Sequence, residues 1–337
     1  MTASTAPRAL SSRLPWTHPL FWFAAISLAH VAMRLLASPA LKWDEAEQIL
    51  WTQELALGYG PQPPLYTWLQ WAMNQVFGPS VLALSLLKHG LLALTYSLMY
   101  LAGRELLDER GAFWASASMV LMPALGWHSV RDQTHTILVT AMACGAWWLL
   151  LRIVRPLLDG LEVVHGTGFL HRDIKPENIY IRADGSPVLL DFGSARRVEA
   201  DGSDQALTAV LTPGFAPAEQ YHRHGKQGPW TDLYALAGVM YWMVTGNRPM
   251  EAFARLREDT MPPAAEIGNR EVFGIELLRA IDWALKPDED DRPRRVADFR
   301  RACLGGPARR PLVKVDLSEE GGMVYWHTAP DLQTVAF

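Results

Sequence analysis

The chain has 337 residues, 50% of them hydrophobic and 20% charged, with a formal net charge of −4. That length suits about two domains. The near-balanced charge argues against a nucleic-acid partner. The two cysteines, Cys144 and Cys303, form neither a metal-ligand spacing nor a disulfide framework. The averages conceal a split. Up to Ile153 the chain is apolar and rich in Trp, and after Arg155 it reads as an ordinary soluble domain. The expected division is therefore 1–153 as a membrane segment, 154–304 as a folded lobe and 305–337 as a tail of no assigned role.

Four apolar runs occupy the first half: Leu20–Ala37, Val81–Gly103, Ala112–Trp127 and Thr136–Ile153. A membrane helix needs ~20 apolar residues, with ~17 as the lower limit. The third run is short for this, and the expectation is an α-helical membrane segment of about four spans. No cleavage pattern follows the first run, which reads as a retained anchor. Arg8 and Arg13 precede the first run, Arg104 and Arg110 follow the second, and Arg152 and Arg155 follow the fourth. The stretch between the first two runs instead carries Asp44, Glu45, Glu47 and Glu54. Positive residues favour the cytoplasmic side. Four spans put all three basic groups there, along with everything after Arg155. The expected setting is a multi-pass protein of the cell inner membrane with its second half in the cytoplasm. Arg34, Lys88 and His89 lie inside apolar runs and are functional candidates on that ground, although Lys88 can also snorkel to the nearer interface.

Asp44 and Glu45 stand just after the first run. A carboxylate pair beside a membrane surface can bind a metal or a sugar hydroxyl, or can simply be a solvated acidic loop. Gly60-Pro61-Gln62-Pro63-Pro64-Leu65-Tyr66 follows, then an amphipathic stretch with Trp68, Trp71 and Phe77, and Arg131-Asp132 precedes the last run. Over residues 15–152 this combination resembles membrane glycosyltransferases of the protein mannosyltransferase and aminoarabinose transferase type. The resemblance implies a polyprenyl-phosphate sugar as donor and Asp44 as base or metal contact, with Glu45 beside it. It covers only the first few spans of such proteins, so sugar transfer by this chain is not expected.

From Leu149 to Leu158 the apolar pattern passes directly into an amphipathic one, with no Gly/Ser-rich or Pro-rich spacer. Separate domains are usually joined by an exposed polar connection. A gene fusion, an in-frame deletion and a joining error all give this pattern. The cut through both halves favours the last two.

Pro156–Gly166 places Leu157, Leu158, Leu161, Val164 and His165 at helical spacing, which predicts a helix packed on a core. His171-Arg172-Asp173-Ile174-Lys175-Pro176-Glu177-Asn178 comes next. Asp173 can orient or deprotonate a hydroxyl, Lys175 can neutralise a phosphate in transfer, and Asn178 can ligate a divalent cation. Phosphoryl transfer needs little beyond such positioning and charge stabilisation. Asp191-Phe192-Gly193 follows the apolar run Val188-Leu189-Leu190, which sets a carboxylate at a strand end. The two stretches in this order resemble the catalytic loop and metal-binding motif of a Ser/Thr protein kinase.

That resemblance extends over residues 154–304 and is to the larger lobe of bacterial Ser/Thr kinases. It implies ATP and Mg²⁺ as cofactors and a protein Ser or Thr hydroxyl as acceptor. Asp173 becomes the base and Lys175 the phosphate contact, with Asn178 and Asp191 as Mg²⁺ ligands. Thr212-Pro213-Gly214-Phe215-Ala216-Pro217-Ala218-Glu219-Gln220 matches the substrate-docking end of the activation segment, with Ala218 replacing a common proline. Thr212 is expected beside Asp173 and Lys175. Thr208 or Ser203 is a candidate phosphorylation site with Arg172 as its receiver, or a solvated loop hydroxyl. Trp230-Thr231-Asp232 opens a helix capped by Thr231 or Asp232, and Asp232 anchors the catalytic-loop backbone. Arg292 is expected to form a buried ion pair with Glu219. His222-Arg223-His224 reads as surface loop rather than a metal site.

No Gly-rich phosphate loop, strand lysine or partner glutamate precedes Pro156. Active kinases need the lysine–glutamate pair as well as the metal-bound aspartate. The small β-lobe is thus expected to be missing, and phosphotransfer by this chain alone is expected to be very weak or nil. Besides the kinase-like and glycosyltransferase-like readings, a non-catalytic, pseudokinase-like binding module fits the same residues. After Gly306, residues 312–317 and 323–326 read as short strands joined by a turn at 319–322.

Overall fold

The structure is a computed structural model describing residues 18–37, 40–60, 62–128, 135–197, 212–222 and 225–305. The expectations for Arg8, Arg13, Pro61, Arg131, Asp132, Ser203, Thr208, Arg223, His224 and the tail strands lie outside these residues. The chain forms two compact units, Met1–Trp148 and Leu149–Phe337.

In the first unit the helices are α1 (Pro19–Ala37), α2 (Trp43–Trp51), α3 (Pro64–Phe77), α4 (Val81–Leu106) and α5 (Glu109–Ser118). Local chemistry sets their ends. The Ser80 hydroxyl accepts the Ala83 N–H at 3.2 Å and starts α4, and Asp108 accepts the Gly111 N–H at 2.9 Å and starts α5. Pro64 occupies the first turn of α3, where its missing N–H costs nothing, and Gly78 (φ 68°) closes that helix. Phe23, Tyr66, Leu91, Leu92, Tyr96, Tyr100, Ala112 and Ile137 form the apolar core.

The start of α1 packs on the end of α4, through Phe23 and His18 against the Tyr100 ring. The two helices are therefore antiparallel. The start of α5 also lies on the end of α4, because a Cβ built on Gly103 would sit 3.2 Å from the Ala112 Cα. Farther on, Ser116 donates to the Tyr96 carbonyl at 2.6 Å, so α5 runs back along α4.

Three helices among the described residues are long and apolar enough to cross a membrane: α1, α4 and α6 (His135–Gly166). The apolar run Ala112–Trp127 is not one of them. It breaks into α5, a 3₁₀ turn (Met119–Leu121) and a π-helical turn (Pro123–His128), because Pro123 has no N–H to continue the ladder. The helix expected over Pro156–Gly166 is the last part of α6, with Pro156 inside it.

In the second unit, α6 buries Leu150, Leu151, Val154, Leu157, Leu158, Leu161 and Val164. Their spacing of three and four residues draws one apolar stripe along the helix. Strand β1 (Phe169–Leu170) pairs antiparallel with β4 (Arg196–Arg197), and β2 (Ile179–Ile181) with β3 (Pro187–Leu189), in the register Ile179 to Leu189. Among the described residues β1 is the first strand of the chain.

Helix α7 (Pro229–Thr245) is buried nearly all round and forms the centre of this unit. It begins earlier than expected, with Gly228 at the N-cap and Pro229 at the first position. Thr231 and Asp232 are therefore in the first turn rather than at the cap, and the Thr231 hydroxyl accepts the Gly228 N–H at 3.2 Å. Short helices α8 (Ala252–Arg257), α9 (Ala264–Ile267) and α10 (Arg270–Phe273) lead to α11 (Ile275–Ala284), which packs on α7 and on α12 (Val296–Leu304). Arg300 of α12 reaches α6, where it pairs with Asp159 and, at 2.8 Å, with Glu162.

Arg292 Nη1 lies 2.8 Å from Glu219 Oε1, with side chains 1% and 2% exposed. Thr231 donates to the same oxygen at 3.0 Å. Arg292 also donates to the Lys286 and Pro287 carbonyls and stacks on Tyr234, 4.5 Å from the ring centre. Breaking such a pair strands a buried charge, at a cost of about 3–5 kcal/mol. Thermal melts of Arg292→Ala are expected to show a loss of that size, whereas Arg295→Ala, whose exposed pair with Asp298 is at the surface, should change stability by less than ~1 kcal/mol.

Candidate phosphotransfer site

The loop from His171 to Asn178 has no regular structure of its own, and a single carboxylate organises its start. Asp232, 0% exposed in the first turn of α7, accepts three hydrogen bonds. The His171 N–H donates to Oδ2 at 2.9 Å and the Arg172 N–H to Oδ1 at 2.8 Å. His165 Nε2 lies 2.7 Å from Oδ2. Burial alone would push the Asp232 carboxyl up. The His165 hydrogen bond and the charges of His165 and His171, with the Arg172 N–H, outweigh it and hold the carboxyl below its usual range.

Arg172 is held in the left-handed region (φ 71°) between these bonds. Its carbonyl accepts from Gln220 Nε2 at 2.7 Å, which ties the loop to the 3₁₀ turn Ala218–Gln220. The His171 ring is buried, 3.1 Å from the Leu190 carbonyl and edge-on to Phe192 at 4.5 Å. Burial holds this imidazole below its usual value, against the opposing pull of Asp232.

Three side chains then converge on Asp173. Lys175 Nζ lies 2.8 Å from Oδ2, and Asn178 Nδ2 donates to Oδ2 at 2.9 Å and to the Asp173 carbonyl at 2.8 Å. On the other side, Thr212 Oγ1 stands 3.5 Å from Oδ1. One oxygen of Asp173 is thus engaged by a cation and an amide, and the other faces a hydroxyl. Asn178 is placed by the Pro176–Asn178 turn, and its carbonyl accepts the Leu190 N–H at 2.8 Å.

Asp191 follows as an exposed residue in the left-handed region (φ 62°), its Oδ1 accepting the Gly193 N–H at 3.1 Å. Asn178, through its amide oxygen, and Asp191, through its carboxylate, are hard oxygen donors. Mg²⁺ is usually held by one or two such groups together with substrate phosphates. Two such donors suit an ion whose remaining ligands come from a phosphate-bearing molecule and water.

The structure brings Asp173, Lys175, Asn178 and Thr212 together, places Glu219 with Arg292, and sets Asp232 under the loop. The sequence places His165 only on a helical stripe and Gln220 only at the end of the docking motif; their contacts, to Asp232 and to the Arg172 carbonyl, join parts distant in the chain.

In the first unit, Asp44 and Glu45 are consecutive in the first turn of α2. Adjacent helical residues project about 100° apart. Glu45 is 5% exposed and holds Arg34 Nη2 at 2.6 Å, while the Lys42 N–H donates to it at 3.0 Å. Burial would raise its carboxyl, and Arg34, Lys42 and Lys88 together lower it. Lys88 and His89 are buried on α4, and the His89 ring stacks on His30 at 5.5 Å.

The folded-state lowering of Asp232 and His171 fixes a pH dependence. Each contributes stability that is full above its ordinary value and is lost as pH falls below it. The second unit should weaken below pH ~6.5 through His171, and again below ~4 through Asp232. Melts of Asp232→Asn over the same range should start lower at neutral pH and lack the step below ~4.

Residues 132–298 match the family model of the protein kinase domain, and residues 61–172 match that of dolichyl-phosphate-mannose-protein mannosyltransferases. The lipopolysaccharide core galacturonosyltransferase RgtB of Rhizobium johnstonii is 41% identical over 117 residues, 34% of this chain and 24% of that protein. The serine/threonine-protein kinase PknA of Nostoc sp. is 38% identical over 138 residues, 38% of this chain and 23% of that protein. A solved structure, the PpkA-294 apo form, is 41% identical over 46% of this chain and 53% of its own, with a TM-score of 0.39. The chain spans about a quarter of the length of these two curated relatives. It joins a membrane-glycosyltransferase-like segment to a protein-kinase-like segment.

Proposed function

We propose that the second unit is a membrane-anchored Ser/Thr-protein-kinase-like large lobe. The observation that carries this reading is the convergence of Lys175, Asn178 and Thr212 on Asp173, in a loop fixed from below by Asp232. Asp173 Oδ1 is the oxygen that takes the proton from an incoming Ser or Thr hydroxyl, since Oδ2 is engaged by Lys175. Lys175 bridges from Asp173 toward the phosphate in transfer, and Thr212 lines the acceptor side. Asn178 and Asp191 would hold Mg²⁺, which supplies charge neutralisation on the ATP phosphates when bound. Glu219 and Arg292 keep the acceptor-side turn attached to the lobe.

The cytoplasmic setting of the lobe follows from an even number of crossings. Although α5 and the turns after it are not one long helix, α5 runs back along α4, and Met119 and Leu125 beyond it are buried in the core. His135, the first residue of α6, then stands beside Trp51 and Tyr66 at the α2–α3 side. The stretch from α5 to α6 thus reads as one broken crossing, with Val120, Leu121 and Met122 exposed. Counting it gives four crossings and leaves Arg152 and Arg155 on the same side as Arg104 and Arg110, that of the cytoplasm if the membrane is the cell inner membrane.

No small β-lobe precedes α6 in this reading, so the nucleotide lacks its lysine–glutamate clamp and the lobe alone transfers phosphate very weakly or not at all. Full-length chain in lipid nanodiscs, with Mg·[γ-³²P]ATP and a Ser/Thr-rich acceptor protein, is expected to give only trace labelling. Asp173→Asn should lower that labelling by ~10²–10⁴-fold, the usual worth of a general base. Equal labelling by wild type and Asp173→Asn would contradict the assignment. No labelling by either, with a protein partner still bound, would leave the non-catalytic binding module. The match to RgtB favours one further reading, a truncated glycosyltransferase using a polyprenyl-phosphate sugar at Asp44 and Glu45; sugar transfer lost in Asp44→Asn would support it.

A further inference from the structure

The starts of α1 and α5 border an open cleft of about 680 Å³, lined by Pro19, Trp22, Phe113 and Trp114 and by Asp108, Glu109 and Arg110. Trp22 is 51% and Trp114 69% exposed. Both helices that lead to this cleft, α1 and α4, are membrane-capable, and their antiparallel packing puts the first turn of α1 level with the last turn of α4. The cleft therefore sits where a spanning helix meets the headgroup layer, the depth at which Trp side chains concentrate.

Its charges have a definite pattern. Asp108 and Glu109 are acidic, Arg110 is basic, and Arg104 Nη1 stands 3.4 Å from Glu109 Oε2. The lining itself holds two carboxylates and one guanidinium group, both signs beside an aromatic wall, and Arg104 lies outside it as the partner of Glu109. An anionic lipid would meet two carboxylates there, and a purely cationic ligand would leave the Arg110 guanidinium unused. A zwitterion with a phosphate and a primary ammonium satisfies both, and an acyl chain covers the Trp and Phe faces. Bidentate guanidinium–phosphate pairing and ammonium–carboxylate hydrogen bonds are the interactions that such a headgroup offers.

From this juxtaposition we propose that the cleft binds an aminophospholipid of the phosphatidylethanolamine type. Arg110 takes its phosphate, Asp108 and Glu109 its ammonium, and Trp22, Phe113 and Trp114 its upper acyl chains. The proposal rests on α1 and α4 being membrane spans and is independent of the phosphotransfer reading.

The test is native mass spectrometry of the full-length chain, released from nanodiscs containing equal parts of phosphatidylethanolamine, phosphatidylcholine and phosphatidylglycerol. The expected result is preferential retention of phosphatidylethanolamine, whose ammonium keeps its N–H donors, over phosphatidylcholine, whose quaternary ammonium has none. Glu109→Gln is expected to cut that preference about fivefold, the effect of removing one exposed charge pair. Trp114→Ala should weaken retention of all three lipids. Asp108 caps α5, so it is left intact, and an unchanged melting temperature of Glu109→Gln separates a lost contact from a lost fold. Equal retention of the three lipids, or a preference for phosphatidylglycerol, would overturn the proposal. So would a phosphatidylethanolamine preference that survives Glu109→Gln.

Discussion

One carboxylate holds the second unit's chemistry in place. Asp232 is fully buried, and a buried carboxylate is tolerated only when its lone pairs are satisfied. Here the His171 and Arg172 amides and the His165 ring do this. The bonds run both ways. They keep Asp232 ionised inside α7, and they fix the backbone of a loop that has no ladder of its own. Arg172 is thereby held at a positive φ that a non-glycine residue adopts only under such constraint. Asp173 comes next in the chain, so its direction follows from that backbone. Lys175 and Asn178 then close on it through short local contacts.

This arrangement explains why so much of the site was legible in the sequence. Asp173, Lys175 and Asn178 lie in one short stretch, and their convergence needs only a tight local turn. The Glu219–Arg292 pair joins residues far apart, yet each sits in a recognisable local pattern, and the structure places them 2.8 Å apart. The roles of His165 and Gln220 were not legible. Each makes one polar contact to a distant part of the chain, and neither residue type at its position announces that contact. The helix start at Gly228 was missed for a similar reason: Thr and Asp are strong caps, and the Pro229 preference for the first helical position prevailed over them.

The first unit shows the opposite balance. Hydrophobic length located α1, α4 and α6, because crossing length is a direct consequence of bilayer thickness. The third apolar run had the composition of a span and lacks its continuity, since Pro123 interrupts the backbone ladder. Its position against α4, through Ala112 and Ser116, is a packing fact that hydropathy cannot supply. At the acidic pair, Glu45 turns inward to Arg34 of α1, a contact between helices that the pair itself does not announce.

The account stands or falls on whether Asp232 holds the loop in this form. The most direct measurement is amide hydrogen exchange at His171 and Arg172 in the full-length chain, in wild type and Asp232→Ala. The account predicts strong protection at both amides in the wild type, comparable to the core of α7. In the variant both should become solvent-like while α7 stays protected. Exchange at both amides in the wild type as fast as in the exposed turn at Asp184 would contradict it.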